Sequence, residues 1–136
     1  MSLSEETPFE STLRNNIAFG DTSITDEDIL WALEKTGLKK FLREQPKGLN
    51  AMIYPEGKRT SFTVSKKIIL ARAIVKKPKL LILEDPLDQF EQKETKRIMD
   101  FLLEESNPWT LIIVSQNSHW QKRFKNTIML KEGKII

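Results

Sequence analysis

The sequence predicts an α/β fold with a mostly parallel sheet, and three observations lead there. A helix-period apolar stretch over 64–76 runs into the unbroken apolar series Leu80-Leu81-Ile82-Leu83, which ends on two acids. A second amphipathic stretch over 88–105 separates that series from another, Thr110-Leu111-Ile112-Ile113-Val114. Apolar runs without alternation mark strands covered on both faces, as parallel strands joined by helices are.

The first clear element begins at Thr25. Its side chain can cap a helix whose first turn is Asp26-Glu27-Asp28, and Ile29, Leu30 and Leu33 follow at helical spacing. Gly37 ends it, and a shorter helix over 38–43 stops before Pro46. The stretch 46–63 carries Gly48, Pro55 and Gly57 and reads as a loop. From 64 onward, Val64, Ile68, Ala71 and Val75 mark one helix face, and Ile69, Leu70 and Ile74 widen it until Pro78 breaks the pattern. Asp88, with Glu91 three residues on, opens the helix of 88–105, whose core face holds Ile98, Met99, Phe101, Leu102 and Leu103. Asn107-Pro108 closes it. A link over 118–124 leads from the second strand to a third over 127–130, and Glu132-Gly133 turns the chain into a closing hairpin.

A chain of 136 residues suffices for one buried core. With 39% hydrophobic and 30% charged residues it reads neither as a disordered tail nor as a membrane span, and no apolar run approaches the ~20 residues a spanning helix needs. The chain is therefore expected to be soluble. The absence of cysteine excludes disulfides and thiolate metal sites. Met1-Ser2-Leu3 lacks the charged and apolar regions of a secretory signal. The net charge is +3, but the basic residues are scattered. Their densest group, Lys66, Lys67, Arg72, Lys76, Lys77 and Lys79, lies along one helix and its exit. It is expected to be a solvated or partner-facing face, so no nucleic-acid partner is expected.

A series of short motifs then becomes specific. Thr12-Leu13-Arg14-Asn15-Asn16-Ile17-Ala18-Phe19-Gly20 is similar to the stretch TIRENIAFG of ABC exporters, and Pro46-Lys47-Gly48-Leu49-Asn50 to LPEGLDT. Ala71-Arg72-Ala73 resembles the close of a signature helix. Lys77-Pro78-Lys79 before Leu80-Leu81-Ile82-Leu83 resembles the lead into a Walker B strand. Residues 127–135 resemble the terminal hairpin. The order and spacing of all five identify the chain as similar to the C-terminal part of the nucleotide-binding domain of an ABC exporter, over nearly its whole length. The resemblance implies a partial P-loop NTPase fold, with a helical, signature-bearing part over about 10–76 and a Walker B to C-terminal part of the core over about 77–136.

The motif that cradles nucleotide phosphates, G-x-x-x-x-G-K-S/T, is absent from the sequence. In the family it lies upstream of the matched segment. Its leading strand sits between those matching Thr110–Val114 and 127–130, so these two strands are expected to pair directly, to pair with another copy, or to rearrange.

The motifs that are present depart from the family. The signature LSGGQ aligns with Thr60-Ser61-Phe62-Thr63-Val64. The resemblance makes Ser61, Phe62, Thr63 and Val64 the nucleotide-facing residues, contacting a γ-phosphate held by the opposite subunit at a helix N-terminus. Ser61 keeps the hydroxyl. Phe62 and Thr63 replace two glycines, adding bulk where the backbone must come close. Phe62 could equally pack against the helical part.

The family's Asp-Glu pair is inverted to Glu84-Asp85. Glu84 is then the candidate for ordering magnesium. Asp85 is the candidate for orienting the attacking water, although its side chain is one carbon-carbon bond, ~1.5 Å, too short. A displacement near ~1 Å can cost ~100-fold in rate. Both acids could instead serve only as a strand end and a turn before Pro86.

Asp88-Gln89-Phe90-Glu91 stands where the family's D-loop SALD lies and keeps only an acid at Glu91, a candidate nucleotide-proximal residue. Gln116 stands at the switch histidine; it can hydrogen-bond but cannot carry positive charge. His119, three residues on, is expected at the surface. Ser4 falls near the family's Q-loop glutamine.

The resemblance thus implies ATP and Mg2+ as cofactors of an intact domain, with neither bound tightly by this chain alone. It implies a transmembrane domain and a second nucleotide-binding domain as partners, and a parent protein at the cytoplasmic face of a membrane. The expected role is coupling of ATP to transport with an impaired catalytic site, this chain being inactive by itself. Self-association through exposed sheet edges is a further expectation. The rival readings are a DNA-repair or chromosome-type ATPase of the same superfamily, which lacks support from any heptad run or basic stripe, and a non-catalytic interaction module.

Overall fold

The computed structural model describes residues 1–2, 5–54 and 60–136. Ser4, Pro55 and Gly57 lie outside the described residues.

The chain opens with a two-residue strand, β1 (Ser11–Thr12), and a helix, α1 (Leu13–Ala18). Thr12 caps it by accepting the Asn15 N–H at 3.1 Å, and Leu13 and Ile17 plug it into the core. The expected helix at Thr25 is α2 (Asp26–Lys35). Thr25 Oγ1 accepts the Asp28 N–H at 3.2 Å while Asp28 returns a bond to the Thr25 N–H at 3.0 Å, so the capping box read from the sequence is present. Gly37, at φ +80°, takes the left-handed conformation that ends the helix.

Next come α3 (Lys39–Arg43), a 3-10 turn (Gly48–Asn50) and β2 (Met52–Ile53). Strand β2 pairs antiparallel with β1 inside a stretch that reads as loop. Helix α4 (Phe62–Ile74) follows and buries Ile68, Leu70, Ala71 and Ile74 beneath α1 and α2.

Strand β3 (Leu80–Glu84) and strand β4 (Thr110–Val114) lie parallel and in register, Leu80 opposite Thr110 and Glu84 opposite Val114. Helix α5 (Gln92–Leu102) makes the crossover between them. Leu81 and Leu83 are fully buried on the face that meets Ile98 and Met99. Edge-to-face rings tie the layers together: Trp31 to Phe101 at 6.0 Å and Phe101 to Trp109 at 5.8 Å. Ser2 adds a parallel bridge on the free side of β3, donating to Ile82 O at 2.9 Å and accepting from the Glu84 N–H at 3.0 Å. The chain ends in a hairpin of β5 (Leu130–Lys131) and β6 (Lys134–Ile135). Its turn residues Glu132 (φ 50°) and Gly133 (φ 75°) are both left-handed, as a two-residue type I′ turn requires.

Several expectations need correction. The fold is mixed helix and strand and β3 pairs parallel with β4 as expected, but the described strands form three separate two-stranded sheets, the other two antiparallel. Strands β3 and β4 are not covered on both faces. Leu80, Ile112 and Val114 are 50%, 46% and 57% exposed, on the face opposite the buried Leu81 and Leu83. The expected strand over 127–130 does not form as such, and of the three outcomes expected for it the direct pairing with β4 is not the one seen. Only Leu130 enters a ladder, and its partner is the hairpin's own return strand. Helix α5 begins at Gln92, not near Asp88, because Asp85 (φ 39°) and Gln89 (φ 65°) both turn left-handed and spend that stretch on a tight loop. The basic face of α4 is partly inward: Lys67 is buried and Arg72 half-buried.

Candidate functional site

The signature-like segment sits where the sequence places it, at the N-terminus of α4. Ser61 is the cap, with φ −66° and ψ 157°, and its hydroxyl accepts the Val64 N–H at 3.3 Å. Ser61 Oγ also lies 3.2 Å from Thr63 Oγ1. One acceptor position of the hydroxyl is thus used in holding the helix start together. Phe62 is not buried in the helical part: the residue is 51% exposed, with the Lys66 ammonium 5.5 Å from its ring centroid. Thr63 and Val64 are half-buried. With no acid in the first turn, the helix end keeps its positive partial charge, but a phenyl group stands beside it.

The second cluster forms at the C-terminal ends of the parallel strands. Because Glu84 lies opposite Val114, the register brings Glu84-Asp85 and Ser115-Gln116 to the same end of the sheet. Asp85 leaves β3 in the left-handed region, which a short acidic side chain tolerates, and its N–H donates to Val114 O at 2.9 Å. The Asp85 backbone is thus a strand terminator, whatever its carboxylate does. Asp88 closes the following turn through its N–H to Asp85 O at 3.4 Å. Glu91 occupies the N-cap position of α5 without a side-chain capping bond; its carbonyl takes the Thr95 N–H at 2.9 Å.

Beside these ends opens a groove of about 750 Å³ whose lining includes Asp85, Asp88, Lys93, Ser115, His119 and Trp120. Of the candidate residues Asp85 faces this groove, whereas Glu84, Glu91 and Gln116 are not among its lining. Gln116 is exposed, and so is His119, as expected of a surface histidine. The link beyond β4 is pinned locally: Ser115 Oγ accepts the Asn117 N–H and Asn117 Oδ1 the His119 N–H, each at 3.0 Å.

Two arrangements escaped the sequence reading. Arg72 donates from Nε to Asn16 O at 2.7 Å and from Nη2 to Asn16 Oδ1 at 3.2 Å. Its guanidinium is 5.2 Å from the rings of both Phe9 and Phe19. Asn16, fully buried, also accepts the Phe9 N–H at 2.9 Å and donates to Phe9 O at 2.9 Å. Burial pushes the Arg72 pKa down, against a raising influence from Glu6. The second is Lys67, whose Nζ lies 2.6 Å from Glu94 Oε1, with both side chains largely removed from water. A polar residue on the apolar side of a helix was the available signal in each case.

Magnesium takes one or two carboxylates and completes its shell with phosphate oxygens and water. Adjacent Glu84 and Asp85 offer donors of that chemistry. Among the described residues no group of three or more histidine, cysteine, aspartate and glutamate side chains could hold a metal by itself. Among them also, no helix is long and apolar enough to cross a membrane.

No protein-family model matches the chain. Curated relatives do. The glutathione/L-cysteine transport system ATP-binding/permease protein CydC of Haemophilus influenzae is 28% identical over 129 residues, 94% of this chain and 22% of that protein. The ATP-dependent lipid A-core flippase of Desulfotalea psychrophila is 28% identical over 131 residues, again 94% of this chain and 22% of that protein. Human ATP-binding cassette sub-family B member 5 is 27% identical, covering 93% of this chain and 10% of that protein. A solved bacterial Atm1-family ABC exporter with ATP bound superposes with a TM-score of 0.72 at 19% identity, over 85% of this chain and 21% of its own. The chain is homologous to ATP-binding/permease proteins of ABC transporters and corresponds to part of their nucleotide-binding domain. It spans about a fifth of the length of the two bacterial relatives.

Proposed function

We propose that this chain is the signature-to-C-terminal portion of an ABC-exporter nucleotide-binding domain and that it serves ATP-coupled transport with an impaired catalytic half-site. On this reading 10–76 forms the helical, signature-bearing part, facing a transmembrane domain, and 77–136 the Walker B to C-terminal part of the core. The parent protein works at the cytoplasmic face of a membrane, against a second nucleotide-binding domain.

The observation that carries the impairment is the start of α4. An amide cradle for a phosphate needs close main-chain approach. Here Phe62 and Thr63 stand in the first helical turn where the family has two glycines, Phe62 half-exposed and Thr63 Oγ1 3.2 Å from Ser61 Oγ, so each adds side-chain bulk beside the amides. Ser61, Phe62, Thr63 and Val64 are therefore weak nucleotide contacts.

At the other end, Glu84 is assigned to hold magnesium, which would supply charge neutralisation for the phosphates when bound. Asp85 is assigned to orient water, from a carboxylate one bond shorter than glutamate's. Glu91 lies at the start of α5, near the nucleotide's partner face. Gln116, exposed at the end of β4, can hydrogen-bond to a phosphate oxygen without bringing a positive charge. ATP with Mg2+ is the cofactor of the intact domain, and this chain alone captures neither tightly. The open β4 edge gives the isolated chain a route to self-association.

The test is an ATPase assay on the longest polypeptide that carries this sequence. The expected result is low turnover, raised by the paired replacements Phe62→Gly with Thr63→Gly and Glu84→Asp with Asp85→Glu. Robust turnover that disappears on Asp85→Asn would overturn the impairment, as would tight MgATP binding by this chain in calorimetry.

A further inference from the structure

We propose that Lys67 is a positioning residue, which through its buried pair with Glu94 locks the acid-bearing turn over 85–90 to the N-terminal half of α4. The functional weight of those two ends rests on the reading above. The coupling itself rests on geometry alone.

Lys67 is buried within α4, less than two helical turns beyond the Ser61 cap. Its ammonium reaches across to α5, 2.6 Å from Glu94 Oε1, where the two side chains keep only 11% and 25% of their exposure. The same ammonium lies 5.6 Å from the centroid of Phe90, the last residue of the turn that starts at Asp85. One cation thus touches both the turn and the helix that follows it.

Glu94 is a junction in its own right. Arg97 Nη2 is 4.0 Å from Glu94 Oε1. At Gly37, which ends α2 with φ +80°, an added Cβ would fall 2.8 Å from Glu94 Oε1 and 2.6 Å from Arg97 Nη2. The end of α2, the middle of α4 and the start of α5 therefore converge on this carboxylate. The backbones of α4 and α5 pack less closely than those of α2 and α4, so the link between α4 and α5 falls on side chains.

A buried pair suits such a link. Removing Glu94 leaves the buried Lys67 ammonium without its carboxylate, and removing Lys67 leaves Glu94 only the more distant Arg97, so the pair resists sliding and favours a single register. An apolar contact would tolerate small shifts between α4 and the turn. A charge pair of this burial is either made or broken, so displacement at Ser61–Val64 is passed to the turn that carries Asp85.

The test is segment-resolved amide hydrogen exchange on the whole chain, with chemical denaturation alongside and no nucleotide present. The variants are Lys67→Met, Glu94→Gln and the reversed pair Lys67→Glu with Glu94→Lys. Each single variant is expected to speed exchange over 61–66 and 86–90 about tenfold more than in β3 and β4, and the reversed pair to recover much of that change. Glu94→Gln keeps the side-chain shape and carries the test alone if Lys67→Met does not fold. Exchange that rises uniformly in every segment with global stability, that changes in neither segment, or that simply sums in the reversed pair would overturn the proposal. None of these results depends on ATP turnover, so the proposal and the impaired-site reading fail separately.

Discussion

Ser61 and Asn16 show how differently two polar residues can be used. Ser61 is exposed and caps a helix through one long bond, so Ser61→Ala is expected to cost about 1 kcal/mol, read as a lowered urea midpoint. Asn16 is fully buried and its amide serves Phe9 from both sides while its two oxygens receive Arg72. Asn16→Ala leaves the Phe9 N–H and one guanidinium donor without their partner, for an expected loss of about 2–3 kcal/mol in the same measurement. Arg72→Lys would not preserve the arrangement, since an ammonium cannot fork to two acceptors while lying between two rings. The structural demand at Asn16 exceeds that at Ser61, although the family resemblance directs attention to Ser61.

At the level of elements, surface carboxylates pin α2 and its neighbours. Arg14 of α1 holds Asp26 at 2.9 Å, and Lys76 beyond α4 holds Asp21 at 2.8 Å. The Arg14 hydrogen bond keeps the Asp26 carboxyl below its usual range, and the Thr25 N–H does the same for Asp28. Asp21 is lowered further, first by Lys76 and then by Ser23. A carboxyl lowered in the folded state stabilises the protein above its unfolded value, near ~3.9, and loses that contribution as pH falls through its folded value. The urea midpoint is therefore expected to be flat from neutrality to about pH 5 and to decline below about pH 4. Because these groups are exposed, added salt should shrink the carboxylate part of that decline. A midpoint that rises on acidification would contradict the assignment.

Across the whole molecule a helical layer joins a parallel strand pair that, among the described residues, is well buried on one face only. Leu80, Ile112 and Val114 project from the other face, and no described strand pairs with the outer edge of β4. Apolar surface beside an open edge favours association. Sedimentation of the isolated chain is expected to show mass rising with concentration. Ile112→Lys or Val114→Lys is expected to reduce that association several-fold while shifting stability by no more than about 0.5 kcal/mol, because both positions are already exposed. A monomer at every concentration would count against the exposed-edge reading.

Local chemistry alone determined the elements whose information is contiguous. The Thr25 capping box, the end at Gly37, the α4 and β3 apolar patterns and the Glu132-Gly133 turn are each specified within a few residues. Helix α1 was harder to read because six residues hold too little period, and the two-residue β1 and β2 gain their meaning only from each other. The motif letters name Glu84, Asp85, Ser61 and Gln116, which the structure puts at or just beyond the ends of β3, α4 and β4. Only the tertiary structure decided that Lys67 and Arg72 turn inward, that the Ser61 hydroxyl caps its own helix, and that Leu80, Ile112 and Val114 stay exposed on β3 and β4. The reason is physical: an apolar run states that it can be buried and a lysine that it carries charge, but what covers the one and pairs with the other is set by residues far away in the chain.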